Sequence, residues 1–297
     1  MAREIKKRAV VLGGANMDIC GAPAGELRLR DSNPGTVELR PGGVGRNIAH
    51  DLRLFGMEVS LVTALGGDVN GEALSAGCAG LGIDLSMTRI LPDRRSSTYL
   101  YITDETGDML CAVNDMDITE QITPEFLAPR MERLNGFDAV VLDANLPAET
   151  VAFLAENCTA PLYADPVSAA KAERLRPALG KLRALKPNML EARTLTGEET
   201  PEAAARRLLD EGVQNVFISL GGDGLLAANP NRMMRLACEK VSAVNCNGAG
   251  DAAMAAIVCA GTLGLSLEEC AIAAARAGAL TVMSPETNAP ELAQVFR

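Results

Sequence analysis

The sequence predicts an α/β fold: a doubly wound, mostly parallel sheet with helices on both faces and a small β-sheet lid. Three observations predict it. Short apolar runs rich in β-branched side chains recur along the chain and end in glycine or a polar residue. Amphipathic segments separate these runs. Two further stretches alternate apolar with polar residues around turn-forming ones, as a half-exposed sheet does.

Residues 8–13 (R-A-V-V-L-G) read as a buried parallel strand meeting a glycine turn, and the loop after it holds Asn16 and Asp18. From 21 to 41 the texture changes. Pro23, Gly25, Asp31, Ser32, Asn33, Pro34 and Gly35 mark turns, and 36–40 alternates like a strand with one wet face. Strands at 97–102 and 109–113, joined by a turn at 104–108, repeat that texture, so 19–41 and 96–116 are assigned to the lid. Between them, Ile48, Leu52 and Phe55 stand at helical spacing in 47–55, which stops at Gly56 and precedes a strand at 59–64. The rhythm continues through strands at 139–143, 162–165, 185–187 and 216–220, with a helix at 201–212 that turns Ala205, Leu208 and Leu209 inward. Ser266-Leu267-Glu268-Glu269 is a capping box opening an Ala-rich helix toward Met283. No internal repeat breaks the pattern, and residues 1–297 are expected to form one domain.

Composition narrows the function. Hydrophobic residues make up 48% and charged residues 22%, with 3% aromatic and no Trp, which describes a globular chain with an aliphatic core. A formal net charge of -10 opposes a nucleic-acid partner. The short apolar run after Lys7 is no signal peptide or membrane span, so a cytoplasmic protein without a membrane partner is expected. Eight cysteines contain no C-x-x-C pair and share the chain with the single histidine His50, which removes zinc-finger spacing and most histidine-dependent hydrolase arrangements. The cysteines read as reduced and mostly buried, and His50 as solvated or structural.

The densest signal is Asn245-Cys246-Asn247-Gly248-Ala249-Gly250-Asp251, running into a small apolar helix. Gly248, Ala249 and Gly250 let backbone N–H groups converge where a helix N-terminus adds positive potential, which suits an anion. Asp251 stands beside that cradle and can accept a proton from an approaching hydroxyl. Anion site plus base points to phosphoryl transfer to an alcohol, although a tight turn with an acidic first-turn residue reads the same way. Gly42-Gly43-Val44-Gly45-Arg46-Asn47 lets a ligand lie against bare backbone, with the Asn47 amide available to a sugar hydroxyl. Asn188 and Glu191, three apart after a strand, suit either a water-mediated magnesium contact or simple helix capping. Ser219 to Gly224 suits a nucleotide or a plain hairpin turn.

Five elements in fixed order carry a resemblance: Asn16-x-Asp18, Gly42-Gly43-x-Gly45-x-Asn47, Asn188-x-x-Glu191, Ser219-x-Gly221-x-x-Gly224 and Gly248-Ala249-Gly250-Asp251. On them the chain resembles the ribokinase-like (PfkB) family of carbohydrate and nucleoside kinases along its whole length. The resemblance implies ATP as co-substrate with Mg²⁺, and Asp251 as the catalytic base over the Gly248, Ala249 and Gly250 amides. It implies substrate binding by Asn16, Asp18, Gly42, Gly43, Asn47, Asn114 and Asn145. ATP binding falls to Asn188, Ser219, Gly221, Gly224 and Asn247, and Glu191 would meet Mg²⁺ through water. Asp31-Ser32-Asn33-Pro34-Gly35, the stretch from Pro41 to Ala49, and Asn114-Asp115-Met116 resemble the branch that phosphorylates the 5′-hydroxyl of pseudouridine. Other sugars or nucleosides, or a non-catalytic sensor, remain alternatives. Two departures stand out: Asn245-Cys246 where relatives have Asp-Thr, which leaves potassium dependence open, and Ala256 for a usual glycine. The lid strands expose edges, from which a homodimer through the lid is expected.

Overall fold

The computed structural model describes residues 5–238 and 241–296. The first apolar run forms β1 (Arg8–Leu12), whose side chains alternate between two buried layers, Ala9 and Val11 on one side and Val10 and Leu12 on the other. A central parallel strand needs that pattern, because helices cover both its faces. Two strands of a smaller sheet follow, β2 (Asn16–Pro23) and β3 (Gly35–Gly42), before β4 (Glu58–Val62) returns beside β1. A short parallel pair, β5 (Ala64–Gly66) and β6 (Arg89–Leu91), leads to β7 (Thr98–Thr103) and β8 (Met109–Asp115) of the smaller sheet. Then β9 (Ala139–Asp143), β10 (Leu162–Asp165), β11 (Leu182–Leu185) and β12 (Val216–Ser219) extend the parallel run. β13 (Leu225–Asn229) and β14 (Arg232–Leu236) fold back antiparallel at its edge.

The main sheet has the order β14-β13-β12-β11-β10-β9-β1-β4. Helices Val44–Leu54, Ala249–Thr262 and Leu267–Met283 bury Ile48, Leu52, Met254, Ile257 and Ala274 in the layer of Val11. On the opposite face, Ala148–Asn157, Met189–Thr196 and Pro201–Asp210 bury Val151, Leu154, Leu195 and Leu208 with Val10. From β1 the chain proceeds outward to β4, and later outward the other way from β9. That reversal opens a crevice past the carboxyl ends of β1 and β9, where ligands of such sheets bind.

The smaller sheet has the order β3-β2-β7-β8. Its register aligns Arg40, Asp18, Tyr99 and Asn114 as one cross-strand row, so these four side chains share a face. Alternate residues on the other face include Val37, Leu39 and Val113, all exposed.

Several expectations are corrected. Asn16 and Asp18 lie on β2 and not in a loop, because the chain pairs with β3 from Asn16 onward. The strand expected at 185–187 ends at Leu185, since Pro187 has no N–H for a ladder. Of the eight cysteines, Cys78, Cys259 and Cys270 are buried, whereas Cys111 on β8 and Cys246 in the glycine loop are exposed. The helix Val69–Gly80 went unread because its glycines lower its propensity; one of them, Gly71, is needed because a Cβ there would overlap the Gly66 carbonyl.

Candidate active site

The site grows from strand ends. Asp143 closes β9 and is fully buried; its Oδ2 accepts from the Gly14 N–H at 2.8 Å and its Oδ1 from the Asn145 N–H at 2.9 Å. A Cβ at Gly13 would overlap that carboxylate, so the glycine turn after β1 is what lets Asp143 approach. Asp165 closes β10 and pairs with the Lys186 ammonium at 3.0 Å, both side chains buried. Lys186 follows β11 directly, and its Nζ would stand 3.1 Å from a Cβ at Gly250. A larger residue at 250 would crowd the ammonium.

Asp251 enters this group from the first turn of the helix Ala249–Thr262, whose cap Gly248 sits at φ 81, in the left-handed region that suits glycine. Its Oδ2 accepts from Asn47 Nδ2 at 2.9 Å. Burial and then the negative charge of Asp165 push the Asp251 carboxyl up to about 7, while the Asn47 donor and Lys186 hold it from rising further. A carboxylate near neutrality is half ionised at physiological pH, the condition in which a general base works best. Burial also raises Asp143 and Glu191, and the neighbouring carboxylates Asp165, Glu191 and Asp251 raise Lys186 despite its burial.

The expected substrate residues fall on one side of this group. Asn16 Nδ2 donates to Asp18 Oδ1 at 2.6 Å. Gly42 leaves room for the Asp18 carboxylate, and Gly43, at φ 97, packs on the Gly14 carbonyl. Asn145 is buried, accepts from Lys171 Nζ at 2.6 Å and lies against Gly14. Asn114 is farther out, exposed on the edge strand β8 and two strands from Asp18, a separation of about 10 Å at ordinary sheet spacing.

The expected nucleotide residues gather elsewhere. Asn188 and Glu191 form a reciprocal capping box: Asn188 Oδ1 accepts from the Glu191 N–H at 2.9 Å, and Glu191 Oε2 from the Asn188 N–H at 2.8 Å. A β-bridge links Asn188 with Ser219, so two strand exits meet. Ser219 to Gly224 is the hairpin turn into β13; Gly224, at φ 95, has no room for a side chain against the Leu236 carbonyl. Asn247 N–H donates to Asn245 Oδ1 at 3.0 Å, and Asn245 Nδ2 donates to the Pro285 carbonyl at 3.4 Å, tying the glycine loop to the C-terminal segment. Among the described residues no group of three or more His, Cys, Asp or Glu side chains forms a metal site. His50 is half-buried, and burial followed by the Arg46 charge pushes it down to about 4, so it is neutral.

Sequence reading missed Asp143, Asp165 and Lys186. A signal existed: each acid is the last residue of an otherwise apolar strand, and Lys186 is the first residue past one. A cavity of about 450 Å³ lined by Lys7, Asp138, Tyr163 and Arg183 contains none of the site residues, since it opens at the strands' amino ends. Among the described residues no helix is long and apolar enough to cross a membrane.

Known proteins share this fold. Residues 6–294 match the pfkB family of carbohydrate kinases. The chain is 35% identical to the pseudouridine kinase of Escherichia coli K12 over 97% of its own length and 94% of the relative's. A carbohydrate kinase from Agrobacterium tumefaciens superposes with a TM-score of 0.87 at 31% identity, covering 97% of this chain and 96% of its own. The ribokinase of Thermotoga maritima does so with a TM-score of 0.87 at 25% identity, covering 98% and 99%. With a strand-end carboxylate group, a glycine-capped helix and these likenesses along nearly its full length, the chain belongs to the pfkB family of carbohydrate kinases.

Proposed function

We propose that the protein is an ATP-dependent kinase that phosphorylates the 5′-hydroxyl of pseudouridine, working as one domain over residues 1–297 with a lid at 19–41 and 96–116. The observation that carries the chemistry is Asp251, a half-buried carboxyl bonded to Asn47 on the first turn of a glycine-opened helix and pushed up to about 7. The substrate choice is supported by the 35% identity to a pseudouridine kinase. In this reading Asn16, Asp18, Gly42, Gly43, Asn47 and Asn145 hold the nucleoside, and Asn114 approaches its base from the lid. Asn188, Ser219, Gly221, Gly224 and Asn247 hold ATP.

The 5′-oxygen attacks the γ-phosphorus in line as its proton passes to Asp251. The bond from the γ-phosphorus to the β,γ-bridging oxygen breaks, and its electrons leave with ADP. N–H groups of Gly248, Ala249 and Gly250 and the Lys186 ammonium balance charge on the transferred group. Glu191 Oε2 is held by the Asn188 N–H, and the rest of that carboxylate, with Asn188, would meet the waters of Mg²⁺, an ion that would supply charge neutralisation to the phosphates. Activity rises with pH through about 7, because the base must be ionised.

Exposed Val37 and Leu39 on β3, with Leu110 and Val113 on β8, leave both edges of the small sheet apolar, and a second copy would cover them. Val37→Asp tests this by sedimentation: a monomer is expected, and an unchanged dimer would discard the lid interface. The substrate test is ADP release with ATP and Mg²⁺ across pseudouridine, uridine, guanosine, ribose and fructose. Strong preference for pseudouridine is expected. Turnover of ribose or fructose alone would keep the mechanism and replace the substrate; saturable ATP binding without turnover would favour a sensor.

A further inference from the structure

Asn47 carries an amide with two different ends, and both are occupied. Its Nδ2 donates to Asp251 at 2.9 Å, while its Oδ1 accepts from Arg46 Nη1 at 3.1 Å. An amide can turn about its last torsion and exchange donor for acceptor. A guanidinium only donates, so beside Arg46 the exchanged amide would leave two donors facing each other. Arg46 is held in turn. The same Nη1 donates to Asn288 Oδ1 at 2.8 Å and to the Pro41 carbonyl at 3.3 Å. Asn288 Nδ2 donates to the Asn47 carbonyl at 3.2 Å and to Asp51 Oδ1 at 2.8 Å. Arg46, Asn47, Asp51 and Asn288 are all buried, and Asp51 Oδ2 has no hydrogen-bond partner among the described residues.

We propose that Arg46 and Asn288 are positioning residues for Asp251: together they lock the Asn47 amide so that it presents a donor, never an acceptor, to the carboxyl. Only the kinetic readout of this inference rests on the kinase reading. The locked amide stabilises the carboxylate, and a freed amide can turn its oxygen toward the acid form instead. Loss of the lock therefore raises the pH at which Asp251 ionises. Other groups facing Asp251 are Asp165 at the end of β10, Lys186 after β11, Asp143 at the end of β9, and Asp51 on the Asn47 helix. Glu191 acts through Lys186.

The test follows the Asp251 carboxyl carbon by ¹³C NMR across pH in the full chain without substrate, the signal being assigned by its loss in Asp251→Asn. Arg46→Met is expected to move the midpoint up by about one unit, and Asn288→Ala, which keeps every charge, by less in the same direction. Arg46→Lys, which restores charge and donors, is expected to return most of the shift. In the kinase assay the acid limb of kcat/KM moves with the NMR midpoint, so Arg46→Met loses roughly eightfold at pH 6.5 and little at pH 9. Variants that melt earlier yet titrate Asp251 like the wild type would overturn the proposal and leave a tether of the C-terminal segment. A midpoint shift in Arg46→Met but none in Asn288→Ala would overturn the lock in favour of bare charge. A wild type without phosphoryl transfer defeats the kinase reading alone, since the NMR midpoints are read without it.

Discussion

The end of the main sheet and the small sheet beside it are built on opposite principles. At the first, Asp143 and the Lys186–Asp165 pair are buried, and their oxygens and ammonium meet fixed N–H groups or each other. On the second, Val37 is 68% exposed and Val113 is 67% exposed, and polar Asn114 stands on an edge strand. Chemistry that recurs across a family needs charges held in a dry, preorganised place, where electrostatics are strong and reorganisation is small. Choice among substrates needs a surface that can vary without unfolding the rest. In the proposed function the two regions divide these demands between them.

The sharpest way to break that division is Asp251→Asn. Turnover is expected to fall by roughly 10² to 10⁴-fold with nucleoside and ATP binding retained. The same variant tests burial. A carboxyl raised from 3.8 to about 7 in the fold favours the acid form, so its contribution is present below pH 4 and lost as pH rises through 7. Asp251→Asn should accordingly unfold later than the wild type at pH 8, by up to about 4 kcal/mol, and show no gain near pH 4. Denaturant titration at the two pH values reads this; equal stability at pH 8 would mean the carboxyl is better solvated than its burial indicates.

Lys186→Met strikes the same region through packing. It strands Asp165 without its counter-ion, and a loss of about 3–5 kcal/mol is expected, with much of it recovered in the Lys186→Met, Asp165→Leu double variant. If the double variant is no better than the single one, the pair does not act as a unit. On the small sheet Asn114→Ala should leave the melting temperature and kcat alone and raise the KM for the nucleoside about fivefold, one lost hydrogen bond. A fall in kcat with no change in KM would transfer Asn114 to the catalytic side. The smallest effect is expected at Asn245, whose amide already bonds the Pro285 carbonyl. Rates in potassium and in a bulky organic cation should agree, and a steep requirement for potassium would show that the loop binds the cation without a carboxylate at 245.

Much was legible in the residues. The runs that became β1, β9, β10 and β12 were readable because a strand buried on both faces must be apolar throughout. The alternation at 36–40 placed the small sheet although both faces of β3 and β8 are exposed in the structure, and Gly248 to Asp251 was readable because two glycines around one alanine leave backbone N–H groups bare at a helix start. Asn188 with Glu191 was read as either capping or ion binding. The structure supplies the capping box.

Tertiary structure alone decided the rest. Asn47 and Asp251 are 204 residues apart and Arg46 and Asn288 are 242 apart, so no local pattern relates them. Their meeting depends on the helices Val44–Leu54 and Ala249–Thr262 packing against the same face of the sheet. The ionisation of Asp251 is likewise a property of the assembled site, because it comes from burial and from Asp165 at another strand's end. Local propensity, turn chemistry and periodicity are short-range quantities and can be read along the chain. Dielectric environment and the orientation of a shared amide are set by neighbours that only folding brings together.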